Sequence, residues 1–183
     1  MAFRVSNPGL TVTEPLAEAA VIGLGANLEA PREAMRAAVR LLAADPGLNL
    51  LTVSSLYLTE PQGGPPGQAW YHNAVAFFAS SLAPRELLAR LLAVETALGR
   101  RRRERNGPRV IDLDWLARGD LVVDEPPELI VPHPRLERRL FVLAPLAEVT
   151  PTWRHPRLGR SAAQLLQELE LAGQGLKKIG AWF

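Results

Sequence analysis

The chain has 183 residues and no cysteine, which excludes disulfides, thiolate catalysis and zinc-finger chemistry. It contains no apolar run near the roughly 20 residues that span a bilayer. Its first 18 residues lack the apolar stretch of a signal peptide. Lysine is almost missing: Lys177 and Lys178 are the only two, and every other basic side chain except histidine is arginine. Arginine is the planar, permanently charged fork that suits carboxylates and phosphates. Neither charge sign prevails, since the formal net charge is +2, so the whole-molecule field argues little for any partner. Also absent are the Gly-x-x-x-x-Gly-Lys-Ser/Thr phosphate loop and the Rossmann glycine fingerprint. Any nucleotide must therefore be gripped by side chains and metal.

What is present, 48% hydrophobic and 22% charged residues, is the balance of a soluble globular protein. The length suits a single domain with a real core. We expect an extension over residues 1–18, one domain over 19–183, and a cytoplasmic location. Apolar spacing predicts a buried strand over 19–24 that ends in a turn at Gly25-Ala26-Asn27. A helix follows, opened by Pro31, with Met35, Ala38, Val39 and Leu42 as its buried stripe and Asp45-Pro46-Gly47 as its stop. Residues 50–57 read as a strand and 59–68 as a loop. Residues 71–79 alternate as a strand with Tyr71, Asn73, Val75 and Phe77 on one face. A helix over 84–98 ends at Gly99. Strands follow at 110–117 and 121–123, then two proline-flanked segments around 131–134 and 143–145. Ser161 and Gln164 have capping-box spacing before a last helix to about Leu171. The order β-α-β-β-α-β is that of a ferredoxin-like α+β sandwich, an antiparallel sheet with helices packed on it.

The most informative segment is Val110-Ile111-Asp112-Leu113-Asp114-Trp115-Leu116. Ile111, Leu113 and Trp115 share one face of this strand, and Val110, Asp112, Asp114 and Leu116 share the other. Apolar residues on both faces predict a strand near the centre of the sheet. Two carboxylates then stand roughly 6.6–7 Å apart along it. In a poorly solvated place they need cations between them. Arginine partners would serve, and so would magnesium, which takes carboxylate, water and phosphate oxygen. Just upstream lies the arginine-rich stretch 99–109, which reads either as a solvated or RNA-binding charge run or as a loop that supplies positive charge to a polyphosphate. Arg109, three residues before Asp112 and fixed by Pro108, is its best single candidate. Glu95, at the edge of its helix's buried stripe, adds a third acid.

These elements resemble the hydroxymethyl-dihydropterin pyrophosphokinase family. The matching strings are Gly-Leu-Gly-Ala-Asn-Leu at 23–28, Ser-Ser-Leu-Tyr-Leu-Thr-Glu-Pro at 54–61 and Tyr-His-Asn at 71–73. Further on come Glu95 with Gly99-Arg100, Asn-Gly-Pro-Arg-Val-Ile-Asp-Leu-Asp at 106–114, Val-Pro-His-Pro-Arg at 131–135, and Arg139 with Phe141. The resemblance implies a magnesium-dependent enzyme that moves the terminal two phosphates of ATP onto a hydroxymethyl-dihydropterin in folate synthesis. By it, Asp112 and Asp114 would hold two magnesium ions, and Arg100, Arg102, Arg109, His133 and Arg139 would contact the phosphates. Leu129 and Ile130 would lie by the adenine. Thr59, Pro61, Tyr71, Asn73 and Phe141, with Asp112, would form the pterin side. A flat pterin suits two aromatic faces, Tyr71 and Phe141, and its edge suits the Asn73 carboxamide. Glu60, Gln62 and Asn106 depart from residues common in that family.

Two rivals remain at this point. A non-catalytic RNA-binding module shares the strand and helix order, although its aromatic signature is missing here. An ordinary kinase would move one phosphoryl group only. The pyrophosphokinase reading expects ATP and the pterin as partners, no nucleic acid or membrane, and a monomer.

Overall fold

A computed structural model describes residues 14–61, 65–100, 107–170 and 175–183. Arg102, Gln62 and Asn106 lie outside the described residues. In chain order the elements are α1 (Glu14–Ala17), β1 (Ala20–Ala26), α2 (Pro31–Ala43), β2 (Leu48–Val53), β3 (Leu56–Thr59), β4 (Tyr71–Ser80) and α3 (Pro84–Ala97). Then follow β5 (Asp112–Arg118), β6 (Val123–Glu125), β7 (Leu129–Val131), a 3-10 turn (Leu136–Arg138), α4 (Leu140–Val149), α5 (Ala162–Glu170) and β8 (Leu176–Gly180). Among the described residues no helix is long and apolar enough to cross a membrane.

The main sheet is antiparallel, ordered β5-β1-β4-β3-β8, with β2 also paired to β4. β2 lies beside one half of β4, from Phe77 to Ser80 and Ala76, and β3 beside the other, from Tyr71 to Asn73. The pattern β-α-β-β-α-β is therefore realised, with the second strand split in two. Period-2 alternation places two cores on the two faces. Ile22, Leu24, Ala76, Phe78, Leu113 and Trp115 face α2 and α3, meeting Met35, Val39, Leu42, Leu87 and Leu91. Val21, Val75, Phe77 and Leu116 face the other way, onto Val142, Leu143, Leu146 and Leu165 of α4 and α5. The molecule thus has three layers.

Several boundaries differ from expectation for identifiable reasons. β1 runs on through Gly25 and Ala26, because both pair with β4; Gly25 belongs to the strand and not to a turn. The single strand expected over 50–57 breaks at Ser54. There the serine hydroxyl accepts the Val75 N–H at 3.0 Å in place of a ladder carbonyl, and the Ser54 N–H donates to the Val75 carbonyl. β5 is an outer strand of the sheet and not a central one. It is nonetheless covered on its open side: the Leu116 carbonyl accepts the His133 N–H at 2.8 Å, and the Leu113 N–H donates to the Glu95 carboxylate at 2.7 Å. The short strand expected at 121–123 sits at 123–125. α4 contains Pro145; the proline that suggested a broken segment is accommodated in a short, strongly apolar helix. The last helix is capped as expected, with Ser161 and Gln164 exchanging backbone-to-side-chain bonds. β8 was not anticipated.

α3 ends in a Schellman motif. Gly99 adopts φ +84°, its N–H donates to the Thr96 carbonyl, and the Arg100 N–H donates to that of Glu95. This is the left-handed position that glycine favours. The cap aims Arg100 back along α3 toward β5.

Candidate active site

One cavity of about 300 Å³ opens at the end of the sheet where β1, β4 and β5 lie side by side. Its floor follows from register. Gly25 stands between Asn73 and Asp112, and Gly23 between Val75 and Asp114. Because two consecutive inward positions of β1 are glycine, the central strand offers bare backbone there. A Cβ on Gly25 would come within 3.2 Å of Asn73 Oδ1 and 3.8 Å of Asp112 Cβ. The two aspartates thus rise on one side of a flat strip and Asn73 on the other. Glycine inside an apolar strand signals such close approach, and this was the sequence signal that a turn reading of Gly25 missed.

On the acid side, Asp112 pairs with Arg100 at 2.7 Å and with Arg109. Arg100 also pairs with the buried Glu95, so a single guanidinium links two acids. Asp114 pairs with Arg139 at 3.1 Å. Burial and the neighbouring Asp114 push the Asp112 carboxyl up, against the pull of Arg100 and Arg109. Burial also pushes Glu95 up, opposed by the Leu113 N–H and by Arg100. Burial lowers His133, while Asp114 draws it the other way. Arginines thus stand as partners of both aspartates. The donor set also fits magnesium. Two carboxylates facing one cavity are the share of the shell a protein supplies when phosphates and waters complete it. Among the described residues no group of three or more acids or histidines is arranged to hold a metal by itself.

On the other side, Thr59, Tyr71, Asn73 and Phe141 all line the cavity. Asn73 Nδ2 donates to Thr59 Oγ1 at 2.8 Å, which fixes the carboxamide with Oδ1 toward Gly25. The Tyr71 hydroxyl donates to the Gly107 carbonyl at 2.9 Å, and burial raises its pKa. Arg139 lies over the Phe141 ring at 5.5 Å from its centroid, within cation–π range.

The structure thus gathers Thr59, Tyr71, Asn73, Arg109, Asp112, Asp114, Arg139 and Phe141 around one space, with Arg100 and Glu95 directly behind Asp112. His133 is half-buried, its Nδ1 accepting the Arg135 N–H. Leu129 is buried in the core beside α2 and α3, and Ile130 pairs with Asp124 in the β6-β7 ribbon; neither lines this cavity, nor does Pro61. Residues the motif reading did not assign also contribute. Glu60, Arg135 and Arg138 line the rim. Asn27 staples two loops, donating to the Ala69 carbonyl at 3.0 Å and accepting the Arg109 N–H at 2.8 Å.

Known proteins resemble this chain in sequence and in fold. Residues 21–151 match the model of the 7,8-dihydro-6-hydroxymethylpterin-pyrophosphokinase family. The 2-amino-4-hydroxy-6-hydroxymethyldihydropteridine pyrophosphokinase of Synechocystis is 39% identical over 82% of this chain and 76% of its own length. That of Pseudomonas aeruginosa is 41% identical over 83% of this chain and 92% of its own. Among solved structures, the wild-type Plasmodium falciparum HPPK-DHPS with pteroate superposes with a TM-score of 0.65 at 13% identity, over 82% of this chain and 44% of that one. An HPPK-DHPS in complex with substrates gives 0.67 at 11% identity, over 84% and 43%. This chain thus spans less than half of those longer proteins, and the likeness to them is one of fold. On the family match and the curated relatives together, the chain belongs to the 7,8-dihydro-6-hydroxymethylpterin-pyrophosphokinase family.

Proposed function

We propose that the cavity holds both substrates across its glycine floor, the nucleotide phosphates on the Asp112–Asp114 side and the pterin on the Thr59–Asn73 side. The chain is an ATP-dependent pyrophosphokinase of folate biosynthesis, transferring pyrophosphate from ATP to 6-hydroxymethyl-7,8-dihydropterin and releasing AMP. The observation that carries the division of labour is the register row Asn73–Gly25–Asp112. It sets a carboxamide and a carboxylate on either side of exposed backbone.

In the reaction the hydroxymethyl oxygen of the pterin attacks the β-phosphorus in line. The bond from that phosphorus to the oxygen bridging the α-phosphate breaks, AMP departs with that oxygen, and the alcohol loses its proton. Catalysis of this kind is mostly positioning and charge stabilisation. Asp112 and Asp114 would hold two magnesium ions, which when bound supply charge neutralisation for the polyphosphate. Arg100, Arg109 and Arg139, which stand against these carboxylates, would contact the same phosphates. Arg102 joins them by its place in the motif, as does His133 beside Arg139. Asn73 and Thr59 match the pterin edge, and Tyr71 and Phe141 flank its rings. The family resemblance assigns the adenine side to Leu129 and Ile130, whose strand β7 lies beyond the lining of this cavity.

Nucleotide analysis tests the reading. AMP should form from ATP in step with the pterin diphosphate, and only with magnesium and the pterin alcohol both present. Formation of ADP would instead mean transfer of a single phosphoryl group.

A further inference from the structure

The family match ends at residue 151, yet the chain beyond it reaches back to the active-site strands. β8 runs antiparallel to β3, with Leu176 opposite Thr59 and Lys178 opposite Tyr57. β3 has four residues and three paired positions with β4, too few to hold a strand firmly from one side. Two residues past β8, Trp182 turns into the core at 3% exposure. Its Nε1–H donates to the Ser54 carbonyl at 2.9 Å, and its own carbonyl accepts from Arg36 Nε at 2.6 Å. Ser54 is the residue at which β2 gives way to β3. A further tie is Lys178, 3.2 Å from Glu148, whose carboxylate also accepts the Ser55 and Tyr57 hydroxyls. The tail therefore grips β3 along its edge and at its start. At its far end, β3 presents Thr59, the hydroxyl that fixes the Asn73 carboxamide.

We propose that the C-terminal segment, anchored by Trp182, is a positioning element for the pterin half of the site. It acts through Ser54 and β3 on Thr59 and Asn73. This rests on the assignment of those two residues to the pterin. Hydrogen bonds weaken steeply with misalignment, so a small shift of β3 turns the carboxamide away from the substrate edge. The nucleotide half depends on β5, α3 and residues 133–139. β5 lies at the opposite end of the strand order, with β1 and β4 between it and β3. The effect is thus selective for one substrate.

Trp182→Phe keeps an aromatic ring in the core and removes the bond to Ser54. It should raise the pterin KM about threefold to tenfold, the effect of one lost hydrogen bond, with kcat and the ATP KM unchanged. Lys178→Met, at a largely exposed position that does not threaten folding, should raise the pterin KM about twofold with the same selectivity. Thr59→Val should raise the pterin KM by itself, and adding Trp182→Phe to it should then cost less than twofold more, because the indole acts through Thr59. Equal increases in both KM values, or effects of the two substitutions that multiply, overturn the proposal. If Thr59→Val raises the pterin KM while Trp182→Phe and Lys178→Met do not, the tail has no such role and the pocket assignment stands. If Thr59→Val changes nothing, the pocket assignment falls and this inference with it.

Discussion

Gly25→Ala separates the role of the cavity floor from that of the fold. The added methyl would approach Asn73 Oδ1 to 3.2 Å and Asp112 Cβ to 3.8 Å. The first distance asks the amide oxygen to give by a few tenths of an ångström; the second is ordinary contact. Gly25 lies within a regular strand paired on both sides, so alanine is conformationally acceptable. Its reduced freedom in the unfolded chain stabilises by about 0.4–1 kcal/mol, which offsets the local crowding. The melting temperature should therefore stay within about 4 °C of the parent. Activity should not. The methyl rises between the two substrate halves, and a displacement of about 1 Å at reacting groups costs on the order of 10²-fold. The expected loss in kcat/KM for the pterin is about 100-fold, measured as AMP release by nucleotide chromatography. Gly23→Ala provides the contrast. Its Cβ meets Leu116 Cδ1 at 3.2 Å, the movable end of a side chain, so its loss should be about tenfold. A Gly25→Ala enzyme that is folded and within threefold of the parent would refute the floor.

Three further outcomes follow from the geometry. Asp114→Ala leaves Arg139, whose side chain is only 15% exposed, without its carboxylate partner at 3.1 Å, so stability should fall by about 1–3 kcal/mol with the fold retained. Turnover should fall by orders of magnitude; near-normal turnover would show that Asp114 holds no metal. Chelation of magnesium should stop AMP formation and leave the melting curve of the nucleotide-free protein in place, and a large fall in melting temperature on chelation would contradict a metal that arrives with the nucleotide. Glu148 is held below its ordinary value of 4.5, because bonds from Ser55, Tyr57 and Lys178 outweigh the opposing effect of burial. A depressed carboxyl stabilises the fold above its unfolded pKa, and that contribution is lost as pH falls through the lower folded value. Glu148→Gln should thus melt below the parent at neutral pH and converge with it on acidification; a constant gap down to about pH 3 would exclude this linkage.

Much of the site was legible in the sequence because its chemistry breaks local rules. Asp112 and Asp114 interrupt an apolar alternation, and Pro108 and Gly107 fix where Arg109 begins. Alternation also placed Tyr71, Asn73, Val75 and Phe77 on one face; the first three line the cavity, Val75 also joining the core, and Phe77 lies in the core alone. Tertiary pairing was harder to read. The break at Ser54 depends on its hydroxyl replacing a ladder partner, which no pattern of apolar residues reveals. β5 looked central because both of its faces are covered, yet it is an outer strand whose edge is closed by Glu95 and by the His133 backbone. α4 was hidden by Pro145, which removes one hydrogen bond from a helix that burial holds in place. β8 has only five residues, two of them lysine, a composition that describes a protected edge as well as a loop.

The pairing of Arg100 with Glu95 and Asp112, of Arg109 with Asp112, and of Arg139 with Asp114 has a kinetic consequence. These three acids and three guanidinium groups sum to zero, so the centre of the site exerts little long-range pull on a polyanion. Attraction during diffusion falls to the outlying Arg135 and Arg138 together with the further arginines of residues 101–105, and bulk salt screens such long-range attraction. Ionic strength should therefore act mainly on how fast ATP arrives, and much less on how long it stays.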